Sequence, residues 1–228
     1  MLLHHQFVRM AKKHAGKMAI IDKTTGKSIN YSTALIGALI LKSKFERYDK
    51  GFIGIMIPTS AGCALAVVGA LISGRIPVMI NYSTGAADNA KYAQKKCKFK
   101  TIITSKALLD KIKCPVIDGM VMIEDIMKSV TTVEKLKAAL KTKLPVQMIL
   151  NCIHKGEEND TAAILFTSGS EKDPKAVQLT HLNISSNIKN FGDYVGLSES
   201  DIILANLVFF HIFGLTVNLW VSFYYGDT

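Results

Sequence analysis

The sequence predicts an α/β fold with a largely parallel sheet flanked by helices, and three observations predict it. Strand-like and helix-like stretches alternate along the chain, the pattern of parallel strands joined by helical crossovers. The uncharged run 51–74, between Lys50 and Arg75, resolves into a strand, a break at Pro58, an all-apolar helix and Gly74. With the strand that follows it reads as a βαβ unit buried on both faces of a sheet. Finally, the apolar strand 161–166 (TAAILF) runs directly into a loop of hydroxyls, a glycine and lysines.

Taken in order, residues 19–22 and 28–31 are short strand-like pieces, and Leu35, Ile36, Leu39 and Ile40 have the spacing of an amphipathic helix. The βαβ unit follows as strand 52–57, helix 61–73 and strand 76–80. Residues 88–97 read as a polar helix, 101–104 as a strand and 106–112 as a helix. Val133, Leu136 and Leu140 mark one face of a further helix, and 144–160 carries little pattern. After the polar loop come the alternating strand 176–181 and a helix with Ile184, Ile188, Phe191 and Val195 on one face, Thr180 being its expected N-cap. A second uncharged run, 202–226, is long enough to cross a bilayer. Its Asn206, His211, Gly214 and Asn218 suit a strand, a turn and a buried helix better.

With 49% hydrophobic and 20% charged residues among 228, the composition excludes disorder, a collagen-like fibre and a disulfide scaffold. Cys63, Cys97, Cys114 and Cys152 form no CxxC pair, so neither a zinc site nor a redox dithiol is indicated and no metal ligands are assigned. Charges and histidines interrupt the N-terminal stretch, which lacks the apolar core of a signal peptide. A cytoplasmic protein is expected, with the inner face of the membrane as the alternative site.

The charge is uneven. Residues 1–159 hold 25 Lys/Arg against 11 Asp/Glu, an excess of +14, whereas the remainder holds 3 against 7. This divides the chain into a basic α/β part, 1–160, and a second part, 161–228, with the polar loop and the helix after it. An acidic partner such as a nucleotide, an anionic lipid or an acidic carrier protein fits that excess. The plainer reading is solvated helix faces, because Lys135, Lys137, Lys141 and Lys143 are scattered through one helical stretch. No aromatic-interleaved basic cluster argues for nucleic acid.

Thr167-Ser168-Gly169-Ser170-Glu171-Lys172-Asp173-Pro174-Lys175 is the segment with chemistry in it. Backbone N–H groups, hydroxyls and lysines after a buried strand suit a polyphosphate. The spacing of Gly169 and Lys175 imitates a Walker loop, but Pro174 and Ala176 replace its second glycine and its Mg²⁺-holding hydroxyl. A strand, not a helix, is expected next, so the loop is not of the P-loop NTPase kind.

LFTSGSEKDPKAVQLTH resembles the phosphate-binding signature of the adenylate-forming ligases, and LVFFHIFGLT at 207–216 is similar to that family's His-x-Phe-Gly segment. The form of the loop, with 53–64 and IPVMINYSTGAADN, looks closest to the acyl-ACP and acyl-CoA synthetases. The resemblance covers about residues 3–228 and implies that the chain is the N-terminal portion of an adenylation domain about twice as long. It implies a two-step reaction: a carboxylate, expected to be a fatty acid, attacks the α-phosphorus of Mg²⁺-bound ATP, and a thiol of acyl carrier protein or CoA then takes the acyl group. Thr167, Ser168, Gly169, Ser170 and Lys175 are implied as phosphate contacts, with Lys172 as an added one. His211, flanked by Phe210, is implied at the adenylate and acyl entrance, and Thr180 and His181 as framework. Lys172 and Ala176 stand where the family usually has Gly, and Val208 where it has Pro. The remainder of the domain is expected to supply the adenine and ribose contacts and the catalytic lysine, so this portion alone is expected to be inactive. A non-catalytic phosphate- or acyl-binding module, peripheral to the membrane, is the alternative.

Overall fold

The computed structural model describes residues 1–23, 25–167 and 174–228. Helix α1 (Leu3–Lys13) precedes an antiparallel pair, β1 (Met18–Asp22) and β2 (Lys27–Asn30), which stands apart from the main sheet. Next come α2 (Tyr31–Phe45), β3 (Gly51–Met56), α3 (Ala61–Ile72), β4 (Arg75–Met79), α4 (Ala86–Cys97), β5 (Ile102–Thr104), α5 (Lys106–Ile112), β6 (Met120–Met122), α6 (Ile123–Lys128), α7 (Thr132–Lys143) and α8 (Val146–Asn151). The second part holds β7 (Thr161–Thr167), β8 (Lys175–Thr180), α9 (His181–Val195), a π-helical stretch Gly214–Val221, and α10 (Ser222–Tyr225) continuing directly from it.

The main sheet has the order β6-β5-β3-β4-β7-β8. All neighbours are parallel except β7 and β8. The expected βαβ unit is β3-α3-β4, in register from Gly51 opposite Arg75 to Ile55 opposite Met79. Its all-apolar helix forms because Ser60 caps it, accepting from Cys63 N–H at 3.2 Å. The Asp22 carboxylate accepts from Ala61 N–H at 3.0 Å, tying β1 to the same helix end. One core gathers α1, α2, α3 and α9 on one face, and a smaller one places Ala86, Ala90 and Ala93 of α4 against the other. Strands covered on both faces explain the continuous apolar runs.

Helix α1 has no counterpart among the expected elements. Its buried face is Leu3, His4, Phe7, Val8 and Ala11, and His4 is fully buried. The Nε2 atoms of His4 and His5 both lie on the His154 carbonyl oxygen, at 3.0 and 2.9 Å. Leu3 N–H donates to Nδ1 of His181 at 3.2 Å, and Gln6 donates to the Tyr224 carbonyl at 2.9 Å. His181 is thus the satisfied framework residue expected of it.

The face marked by Val133, Leu136 and Leu140 belongs to a helix, α7, as expected, and it points to solvent: these residues are 60%, 59% and 60% exposed. The helix is anchored instead by Ala138 and Thr142 and by Lys44, which is 4% exposed and bonds Glu134 at 2.9 Å and the Ser129 carbonyl at 3.0 Å. Glu134 of α7 is thereby turned toward the buried Lys44 of α2, whose charge would be costly to leave without its carboxylate. The strand expected at the start of 202–226 is absent. Ile203 N–H reaches the Thr228 carbonyl at 2.8 Å, while Ile202 and Leu204 are exposed, so this stretch finds no neighbouring strand to pair with. Among the described residues no helix is long and apolar enough to cross a membrane.

Candidate functional site

In the main sheet, β3 pairs with β4 on one side and β5 on the other, while α3 and α4 cover opposite faces. Such a reversal opens a crevice beyond the carboxyl ends of the strands. Each strand end delivers a residue there: Thr59 after β3, Tyr82 after β4, and Thr167 at the end of β7.

Tyr82 meets Phe210 edge-on, with ring centroids 4.9 Å apart. Burial pushes the Tyr82 hydroxyl pKa up, and hydrogen bonds with Thr59 partly offset it. The Thr59 hydroxyl also donates to the Leu207 carbonyl at 3.3 Å. This contact and the Asn218 amide, which donates to the same oxygen at 3.3 Å, fix the segment before the aromatic motif. Phe210 is buried, and the exposed ring of His211 lies against it at 5.1 Å. Gly214 admits the close approach of the chain that follows: a Cβ there would stand 2.1 Å from the Val208 carbonyl oxygen.

Thr167 and Lys175 are partners in the antiparallel β7–β8 register, at the carboxyl end of β7. Tyr92 of α4 braces this end, donating to the Pro174 carbonyl at 2.8 Å and lying edge-on to Phe166. Ser168, Gly169, Ser170 and Lys172 lie outside the described residues. Thr180 caps α9 as expected, in a reciprocal pair with Asn183. Thr59, Tyr82 and Tyr92 were not singled out in the sequence; the signal available for the first two was a polar residue three positions past the end of each buried strand.

A cavity of about 370 Å³ adjoins this edge through Thr59 and Phe209 and is otherwise mainly apolar, with Ile20, Ile203, Leu204 and Leu219 in its wall. It does not reach Phe210 or His211. A second cavity, about 270 Å³, lies between Tyr82 and the start of α4 on one side and Lys113 and Cys114 on the other.

A largely parallel α/β sheet of this kind belongs to the class of folds that bind ligands beyond the carboxyl ends of their strands. The chain belongs to the AMP-binding enzyme family, whose sequence model matches residues 7–228. It is 27% identical over 207 residues to a long-chain-fatty-acid–CoA ligase, ACSBG2, of Xenopus laevis, an alignment covering 82% of this chain and 26% of that protein. To 4-coumarate–CoA ligase 1 of Petroselinum crispum it is 25% identical, covering 99% of this chain and 42% of the relative. The chain therefore spans well under two thirds of the length of these relatives. The fold matches that of the N-terminal domain of FACL13 from Mycobacterium tuberculosis with a TM-score of 0.80 at 19% identity, covering 100% of this chain and 56% of that one. It also matches o-succinylbenzoate CoA synthetase from Bacillus subtilis, solved with an acyl-adenylate, with a TM-score of 0.76 at 19% identity over 98% of this chain and 54% of that one.

Proposed function

We propose that this chain is the phosphate-binding portion of an ATP-dependent ligase that activates a long-chain fatty acid as its acyl-adenylate. The observation that carries the reading is that Thr167 and Lys175 pair at the carboxyl end of β7, beside the parallel strand β4 that leads to Tyr82 and its contact with Phe210, against which His211 lies. In the reaction a carboxylate oxygen bonds to the α-phosphorus of ATP and the bond to pyrophosphate breaks. Charge on the departing pyrophosphate needs fixed donors and cations, and Thr167, Ser168, Gly169, Ser170, Lys172 and Lys175 are assigned to it. His211 and Phe210 border the path of the acyl group. Mg²⁺ would enter with ATP, where it would offset the charge of the phosphates.

The sulfur of a thiol then bonds to the acyl carbonyl carbon and AMP leaves. The relative from Xenopus laevis supports CoA as acceptor and a fatty acid as substrate; the basic excess of residues 1–159 supports an acidic carrier protein as the other acceptor. Orientation of reactants alone supplies roughly 7 to 11 kcal/mol of a barrier, so the isolated chain, without the remainder of the family's domain, forms no acyl-adenylate. The test is pyrophosphate exchange into ATP with palmitate. The whole protein should exchange and the isolated chain should not, and no exchange by the whole protein with any of a series of fatty acids would overturn the reading.

A further inference from the structure

Helix α7 carries its aliphatic residues on the wrong side for a core. Val133, Leu136 and Leu140 follow the i, i+3, i+7 spacing of one face, opposite the Ala138 and Thr142 that pack inward. Lysines border that exposed stripe: Lys137 and Lys141 along one side and Lys143 along the other, all three exposed. The one carboxylate on the helix, Glu134, is turned toward the body of the protein and held by Lys44 at 2.9 Å. The outward face thus presents branched aliphatic side chains and ammonium groups with no acid among them.

We propose that α7 is a contact helix for an anionic lipid bilayer, lying along the membrane surface with Val133, Leu136 and Leu140 in the headgroup–acyl boundary. Lysines beside an aliphatic stripe keep their stems in the apolar layer and their charge among lipid phosphates. The same composition argues against a protein partner, because protein interfaces are enriched in aromatic residues and Arg and depleted in Lys. No aromatic residue or Arg lies on α7. The basic excess of residues 1–159 acts in the same direction at longer range. The proposal stands independently of the acyl-ligase reading.

Sedimentation of the intact chain with vesicles tests it, using phosphatidylcholine containing roughly one third phosphatidylserine, against phosphatidylcholine alone. Binding to the anionic vesicles should exceed that to neutral ones at least about fivefold and should fall in 1 M NaCl, where the Debye length is about 3 Å. Leu136→Ser/Leu140→Ser should lower the partition coefficient at least about fivefold. Lys137→Glu/Lys141→Glu should lower it roughly 25-fold or more, since each lysine at an anionic surface contributes about fivefold. Melting curves of both variants should overlay the wild type because the altered side chains face solvent. Tyr194→Ser, at a residue 90% exposed on α9, should bind as wild type does. Failure of the wild type to sediment with the anionic vesicles overturns the proposal, as does undiminished binding by both double variants. So does a result in which the double variants keep vesicle binding but lose affinity for an acidic carrier protein, which would assign the stripe to a protein partner.

Discussion

Thr167 and Lys175 stand opposite each other as the last backbone pair of the β7–β8 hairpin, so the lysine is positioned by the sheet rather than by the loop it follows. Under the proposed function, a lysine whose backbone the sheet holds needs less reorganisation when charge develops on the pyrophosphate than one carried by the loop itself. Lys175→Ala in the whole protein should reduce adenylate formation by about two orders of magnitude, measured by pyrophosphate exchange. Rates within twofold of wild type would remove Lys175 from the site.

Gly214 is the tightest backbone contact in the aromatic segment. Gly214→Ala places a methyl group 2.1 Å from the Val208 carbonyl oxygen, and backbone must move to relieve it. A cost of about 1 to 3 kcal/mol follows from overpacking of this kind, read as a lower melting temperature. Gly16→Ala, with nothing within 4 Å of the added carbon, should leave melting unchanged.

Tyr82 separates ring from hydroxyl. Tyr82→Phe keeps the edge contact with Phe210 and loses the hydrogen bond with Thr59, at a cost of about 0.5 to 1.5 kcal/mol. Tyr82→Ala removes both and should cost more, about 3 to 5 kcal/mol if the space does not collapse. Equal melting temperatures for the two variants would show that the ring contributes nothing.

Acid should loosen α1. Burial pushes the His4 pKa down to about 3, opposed in part by the His154 carbonyl, with His5, His181 and His154 adding repulsion. Burial likewise lowers His181 to about 4, against the raising effect of Asp160. The unfolded chain takes up these protons from about pH 6.5 downward while the folded chain does not. Stability is therefore full above about pH 6.5 and falls as the pH drops toward 4, by up to about 1.4 kcal/mol per pH unit for each such histidine. Unfolding by urea at pH 7, 6, 5 and 4.5 measures the slope, and His4→Gln should flatten it by about one proton. An unchanged slope would mean that His4 titrates alike in both states.

The βαβ unit was legible because every face of it is buried, so its apolar runs admit no other arrangement. Helix α1 was not: its inward face includes His4, a residue that looks like a surface group until the His154 carbonyl and the packing around it are known. Val133, Leu136 and Leu140 identified the helix and their shared face, but periodicity says nothing about where that face points, and it points to solvent. The strand expected near residue 202 did not form, because an apolar stretch read from one chain does not show whether a partner strand is available, and a ladder needs two. At the site, the hairpin and the Phe210–His211 pair were visible as motifs, whereas Thr59, Tyr82 and Tyr92 acquire meaning only when the strand ends are brought side by side.

The bonds that hold α1 also set an order of events during synthesis. Its partners at His154, His181 and Tyr224 lie 150, 178 and 218 residues further along the chain. At about 5 to 20 residues per second, the ribosome delivers the His181 contact roughly 10 to 35 s after Leu3 is made. Through that interval Phe7 and Val8 have no finished surface to cover them, so the first helix of the chain is among the last to find its place. Substitutions in α1 should accordingly alter yield and solubility in the cell more than they alter the melting temperature of molecules that have already folded.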